Sequence, residues 1–251
     1  MVDIHSHLLP GVDDGSKSIE MSVPVLERFA ADGVECLVLT PHLKASEAAS
    51  APYERNQELL EQLRSVAPRQ LELRLGWEIM LDEPNIDLRG ARLGLGGSRA
   101  VLVEFSHRRV PMKAADELYR LRSSGVTPVL AHPERYYGCT VESVESWRNA
   151  GAVIQMDTGG LLGKGAISKL SRTLVEEGLV DLFSSDNHGD SRTLATARDW
   201  LREVATPDHA DLMTRTNARR LLDGLPLLPV PPMQLGGGIF GRLRELFLSR
   251  L

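Results

Sequence analysis

Two histidines one residue apart, His5-Ser6-His7, stand at the end of the first apolar run of the chain, MVDIH. In an extended strand residues i and i+2 face the same side, so both imidazoles can reach one cation. Metal-type residues recur wherever a later apolar run ends: Thr40-Pro41-His42, Trp77-Glu78, Glu104, His132-Pro133 and Asp186-Asn187-His188. Each has an ordinary explanation on its own. A His-x-His pair can face solvent, a lone Glu such as Glu104 is commonly an ion-pair partner, and Asp186-x-His188 alone is a weak signal. Their repetition at one place in six runs is harder to dismiss, because ionisable groups at the ends of buried strands are costly unless paired or metal-bound. Five imidazoles with several carboxylates predict a polynuclear metal site.

Mixed imidazole and carboxylate ligation suits Mn, Fe, Co or Zn better than Mg or Ca, which prefer oxygen shells. Two such ions about 3.5 to 4 Å apart hydrolyse phosphate esters by clamping the attacking and leaving oxygens. Phosphate also needs fixed cationic donors. Arg135, in His132-Pro133-Glu134-Arg135, and Arg192, four residues past His188, are placed to supply bidentate contacts. Either could equally be a surface salt bridge. His107 and His209 do not share the strand-end placement and are assigned to the surface.

The elements that must position these groups are legible as alternating patterns. Short β-branched or Leu-rich runs occur at 1–5, 34–40, 71–79, 100–105, 127–131, 153–157 and 179–185, each of the kind found in buried strands. Between them lie helical periods at 18–32, 53–66, 112–124, 143–150, 164–177 and 191–204, several followed by a stop at Gly33, Gly125, Gly151 or Gly178, with a last helix near 209–223. Seven βα repeats imply a parallel sheet, closed into a barrel or left open and doubly wound. In a barrel the C-terminal strand ends share one face, where residues distant in sequence converge.

Composition narrows the partners. The 251 residues carry a formal net charge of −5 and no basic block, which argues against nucleic acid. Bound divalent ions would make the site itself attractive to phosphate. Around Gly163-Lys164-Gly165 the P-loop spacing fails. Neither Cys36 nor Cys139 begins a C-x5-R phosphatase loop, since His42 and Glu145 stand where the Arg is required. The start MVDIHSHLLP has no basic or apolar signal region, and no apolar run reaches about 18 residues, which predicts a cytoplasmic protein. The domain is expected over 1–224, followed by a Pro-rich extended linker (225–235) and an amphipathic tail (236–251). That tail would dock on the barrel or on another subunit, or lie on a membrane surface.

The motifs DIHSHLLPGVDDGSKS (3–18), LTPH (39–42), GWEI (76–79), VLVEF (101–105), VLAHPER (129–135), SSDNHGDSR (184–192) and NARRLL (217–222) run in order over about 1–224. In them the sequence resembles the PHP (polymerase and histidinol phosphatase) superfamily, and within it the CpsB/CapC-type protein tyrosine phosphatases of capsule and exopolysaccharide operons. The resemblance implies an α/β fold, a distorted (β/α)7 TIM-like barrel, holding three divalent metal ions, usually Mn2+. It implies a first metal on His5, His7, Glu78 and Asp186, with Glu78 bridging to a second that takes Glu104 and His132. A third would take Asp14, His42 and His188. Arg135 and Arg192 would clamp the substrate phosphate, and a metal-bound hydroxide would attack phosphorus in line. The implied substrate is phosphotyrosine on a protein, such as the tail of a bacterial tyrosine autokinase of polysaccharide export. The sequence departs from the family pattern at Trp77, where Gln is usual, at Asp157, where Asn is usual, and in a last His-to-Arg spacing shorter by one residue. These positions bear on substrate preference more than on metal binding.

Competing activities share parts of this pattern. A histidinol-phosphate phosphatase of the same superfamily would use every one of these ligands. A TatD-like nuclease also opens with His-x-His but fits the Asp186-x-His188 pair and the HPER segment poorly. An amidohydrolase would often place a carboxylated Lys where Glu104 stands. A non-catalytic, kinase-binding scaffold would be expected to have lost ligands, and none of the proposed ones is replaced.

Overall fold

The computed structural model describes residues 1–106 and 109–235. His107 and the expected tail at 236–251 lie outside the described residues.

Among the described residues, nine short strands and eight helices follow in the order β1 (Val2–Asp3), α1 (Ile19–Asp32), β2 (Cys36–Leu39), β3 (His42–Lys44), α2 (Tyr53–Val66), β4 (Glu72–Leu75), β5 (Glu78–Leu81), β6 (Ala100–Phe105), α3 (Ala114–Ser123), β7 (Thr127–Ala131), α4 (Val141–Asn149), β8 (Val153–Asp157), α5 (Ala166–Glu176), β9 (Leu182–Ser184), α6 (Ala195–Val204), α7 (Pro207–Asp211) and α8 (Asn217–Leu222). The helix stops fall where glycine was expected to impose them. Gly33, Gly125, Gly151 and Gly178 take φ of 89°, 92°, 92° and 67°, the left-handed turn that ends a helix at little cost only in glycine. The last helical period is present as α7 and α8 joined without a break by a π-helical segment at Leu212–Thr216.

Every strand pair is parallel. The expectation of seven strands in one closed barrel is corrected, however, because the described strands form two sheets, ordered β1-β2-β4 and β3-β5-β6-β7-β8-β9. The runs 34–40 and 71–79 cause the split. The first is followed by Pro41, which has no N–H to donate, and the chain resumes pairing only at β3. The second breaks at Gly76-Trp77, where a Cβ on Gly76 would sit 2.8 Å from Leu95 Cδ2 and 3.1 Å from Val38 Cγ1. Single bonds carry the ladder across the break, from Gly76 N to Leu39 O (2.9 Å) and from Glu78 N to Pro41 O (3.1 Å).

Alternation along each strand divides the core. On β6, Val101, Val103 and Phe105 pack with helix residues such as Leu118, Leu121 and Trp147, whereas Ala100 and Leu102 join Val2, Ile4, Val38, Val129, Leu182 and the α8 residue Ala218. Glu104 is the next residue on that second face. On β8, Ile154 and Met156 belong to the helix-facing core, and Val153 to the other. The inward sequence on β8 therefore continues through Gln155 to Asp157.

The first strand is tied to the last beyond its regular pairing. Ser185 N donates to both carboxylate oxygens of Asp3 (3.2 Å), Asp186 N to His5 O (3.0 Å), and His7 N to Asn187 O (2.8 Å). Asp3 is fully buried, and burial pushes its carboxyl up to about 6 against those hydrogen bonds. The Pro-rich segment lies against the domain: Val230 and Met233 are buried, Leu228 N donates to Asn217 Oδ1 (2.9 Å), and Met233 N to Glu176 O (2.9 Å). Among the described residues, no helix is long and apolar enough to cross a membrane.

Candidate metal centre

All nine candidate ligands come together around Glu78: His5, His7 and Asp14 follow β1, His42 and Glu78 open β3 and β5, Glu104 lies near the end of β6, His132 just past β7, and Asp186 and His188 past β9. The fully buried carboxylate of Glu78 lies 2.7 Å from His132 Nε2, 2.9 Å from His42 Nδ1, 3.2 Å from His7 Nε2 and 3.4 Å from His5 Nε2. Asp186 Oδ1 lies 3.3 Å from both His5 Nε2 and His7 Nε2, and those two nitrogens are 3.2 Å apart. Asp14 Oδ1 stands 3.2 Å from His42 Nε2 and 3.4 Å from His188 Nε2, on the exposed side. Glu104 Oε2 is at 4.0 Å from His132 Nε2.

These separations match a ligand shell. Donors bonded to one ion at about 2.1 Å are ~3.0 Å apart along an octahedral edge and ~3.4 Å along a tetrahedral one. Four groups have donor atoms within 4.8 Å of one another: His5, His7 and Asp186; His5, Glu78 and His132; His7, Asp14, His42 and His188; and His42, Glu78 and Glu104. His5 and His7 each fall in two of them. Nδ1 of His132 is buried without a hydrogen-bond partner. The donor set therefore fits several divalent ions of the imidazole-accepting kind.

The electrostatics point the same way. Burial opposes a charge on Glu78, but His5, His132 and His42 overcome it and hold the carboxyl well below its ordinary range. Asp186 is likewise lowered, its burial outweighed by His5, His7 and Arg135. Burial also works against protons on His5, His7 and His42, yet the facing carboxylates raise all three. His132 is lowered by burial, and His188 by burial and the neighbouring His7. The carboxylates thus demand positive charge, which divalent ions can supply in place of imidazolium protons.

Both arginines reach the cluster. Arg135 Nη2 donates to Asp186 Oδ2 (2.6 Å) and to Asp157. Arg192 Nη1 donates to Asp186 Oδ2 (3.2 Å), its Nη2 lies 2.9 Å from His188 Nδ1, and its Nε donates to Asp190 Oδ2 (2.8 Å). His132 and Asp186 hold left-handed backbones, φ 35° and 47°, a strain of about 1–3 kcal/mol each that non-glycine residues tolerate mainly at functional sites. His209 is elsewhere, on α7 beside Thr206.

The ligand-orienting residues were not predicted from the sequence. Asp13, not its neighbour Asp14, accepts from His7 Nδ1 (2.8 Å), and it also accepts from Gly15 N (2.9 Å) and His42 N (3.3 Å). Gln155 Oε1 accepts from His5 Nδ1 (3.0 Å). Such partners fix the tautomer and angle of a ligating imidazole. The period-2 alternation of β8 could have revealed Gln155 and Asp157, since both are inward positions beyond Val153. Within GVDDGSKS, Gly15 has a steric reason: a Cβ there would lie 2.0 Å from His7 O and 2.4 Å from His7 Cβ. Gly15→Ala is expected to cost about 1–3 kcal/mol through overpacking and to lower metal occupancy by displacing His7. Thermal unfolding and metal analysis of the purified variant measure both.

The family model for capsular polysaccharide synthesis, CpsB/CapC, matches residues 1–223. CapC of Staphylococcus aureus is 31% identical over 197 residues, covering 75% of this chain and 77% of CapC. The tyrosine-protein phosphatase YwqE of Bacillus subtilis is 29% identical over 248 residues, covering 92% and 95% of the two chains. A chain from the crystal structures of YwqE from Bacillus subtilis and CpsB from Streptococcus pneumoniae, unique metal-dependent tyrosine phosphatases, superposes with a TM-score of 0.74 at 25% identity, covering 92% of this chain and 98% of its own. By the extent of that match and by these relatives, the chain belongs to the CpsB/CapC family of capsular polysaccharide synthesis.

Proposed function

We propose that this protein is a metal-dependent phosphatase that hydrolyses phosphotyrosine on proteins. The observation that carries the reading is one buried carboxylate, Glu78, meeting four imidazoles while two arginines reach the adjoining Asp186. The tyrosine-protein phosphatases among its relatives support the same chemistry.

In this reading His5, His7, Glu78 and Asp186 would hold one divalent ion, Glu78, Glu104 and His132 a second, and Asp14, His42 and His188 a third, with Mn2+ first among the candidates. Bound there, they supply Lewis acidity and lower the pKa of water at neutral pH. The chain's own residues do the rest. Arg135 and Arg192 hold phosphoryl oxygens as charge builds on them. Asp13 and Gln155 keep the His7 and His5 rings turned into the site. A tyrosine phenolate, with a pKa of about 10, leaves with less help from a general acid than an alkoxide would need. The partner proposed is a cytoplasmic phosphotyrosine-bearing segment of a kinase that controls polysaccharide export.

The deciding experiment compares a phosphotyrosine peptide with histidinol phosphate on the Mn2+-loaded full chain. The peptide is expected to show the higher kcat/KM. Preference for histidinol phosphate would replace the tyrosine assignment with a small-molecule phosphatase, and no turnover of either would remove the phosphatase reading.

A further inference from the structure

The run 153–157, which forms β8, is the one of the seven apolar runs to which the sequence assigns no ligand, yet its last inward residue touches Arg135. Asp157 is 2% exposed. Its Oδ2 accepts from Arg135 Nη2, its Oδ1 accepts from Gly159 N (3.1 Å), and its own N–H donates to Glu134 Oε1 (3.0 Å). The carboxylate is thereby fixed by its strand, by the turn that follows it and by a buried neighbour. Arg135, by contrast, sits on a short turn at Pro133–Arg135 and is partly exposed, with its Nη2 shared between Asp157 and Asp186.

We infer that Asp157 is a positioning residue that sets the plane of the Arg135 guanidinium for the substrate phosphoryl group. The inference rests on the phosphatase reading above, in which Arg135 binds phosphate. With Asp186 as its single anchor, the guanidinium could rotate about that contact or fold onto the metal-facing carboxylate. A second anchor from the adjacent strand removes this freedom before substrate arrives, so the ordering cost does not fall on the binding step. Asp157 also offsets part of the positive charge of Arg135, and its gain in orientation outweighs that loss of electrostatic attraction for the phosphate.

The test uses the Mn2+-loaded full chain with Asp157→Asn, Asp157→Ala, Arg135→Ala and the double variant Asp157→Ala/Arg135→Ala. Steady-state kinetics on a phosphotyrosine peptide are combined with calorimetric binding of inorganic phosphate, metal analysis and thermal unfolding. Asp157→Ala is expected to raise KM and weaken phosphate binding roughly 10- to 100-fold with metal content unchanged, the range typical when an orienting partner is lost. Asp157→Asn, which keeps an acceptor for Gly159 N and loses the charge, is expected to fall between it and the parent. The double variant should match Arg135→Ala alone, because a residue acting through another adds nothing once that other is gone. Multiplying effects, or parent-like kinetics in Asp157→Asn with a lowered Tm in Asp157→Ala, would reduce Asp157 to a cap for the following turn and overturn the inference. A parent protein that neither turns over the peptide nor binds phosphate would overturn the phosphatase reading and this inference together. Unaffected Asp157 variants of an active parent would overturn this inference alone.

Discussion

Glu78→Gln is expected to lower kcat by at least about three orders of magnitude and to reduce the number of divalent ions retained. The carboxylate is fully buried and meets His5, His7, His42 and His132 at 2.7 to 3.4 Å. Gln has nearly the same shape but no charge, so cavity formation contributes little and the loss reports electrostatics. Without the anion, four imidazoles face one another around a neutral amide, and ions of charge +2 brought there would repel with no carboxylate between them. Losing one preorganised donor to a transition-state oxyanion already costs about 10²–10³ in rate, and loss of a shared ligand removes more than one such interaction. Elemental analysis alongside kinetics checks the claim. A variant with full metal content and parent-like kcat would show that Glu78 is structural and that the candidate centre is misassigned.

Removing the ions with a chelator is expected to abolish turnover and to lower Tm, with both restored by Mn2+. Ions that bind only the folded chain stabilise it by mass action, by about 2.7 kcal/mol for one site at a hundred times its Kd. At about 2–4 °C per kcal/mol for a chain of this size, that single site is worth roughly 5–11 °C. Protons compete for the same positions. His5, His7 and His42 have raised pKa values in the ion-free protein, so as pH falls through that raised range they take up protons and Mn2+ affinity falls; as pH rises above it, the imidazoles are free to bind and affinity recovers. Calorimetric titration with Mn2+ at several pH values reads this directly. A Tm indifferent to chelation would show that the cluster holds no ion in solution.

Local patterns foretold the elements because their causes are local. The apolar period over 18–32 followed by Gly33 yielded α1 at Ile19–Asp32, and the run 53–66 yielded α2 at its expected bounds. The break of 71–79 into β4 and β5 was not visible, since it depends on Leu95 and Val38, distant in sequence, closing on Gly76. The split into two sheets follows from that long-range contact together with Pro41. The Pro-rich segment 225–235 likewise signals only the absence of helix. Its place against α5 and α8 is decided by Asn217, which bonds the backbone of Leu228 in both directions.

At the centre, the residue types and their strand-end spacing were enough to nominate His5, His7, His42, Glu78, Glu104, His132, Asp186 and His188, because a metal shell needs donors of that kind and a parallel sheet gathers strand ends on one side. Family resemblance added Asp14. Alternation along β8 marks Gln155 and Asp157 as inward, but what the orienting residues hold was not legible, for a physical reason. An Asp or Gln that holds a ligand has no compositional mark of its own, and its role exists only through a partner far along the chain, as in Gln155 with His5 or Asp157 with Arg135 across 22 positions. Adjacent Asp13 and Asp14 make the point most sharply: the same side chain in consecutive positions serves two imidazoles in two different ways, and only the turn of the backbone around Gly15 decides which faces His7 and which faces His42. Chemistry by type and repeat was therefore written in the order of amino acids, whereas aim, pairing and the division into two sheets awaited contacts that form only when distant segments meet.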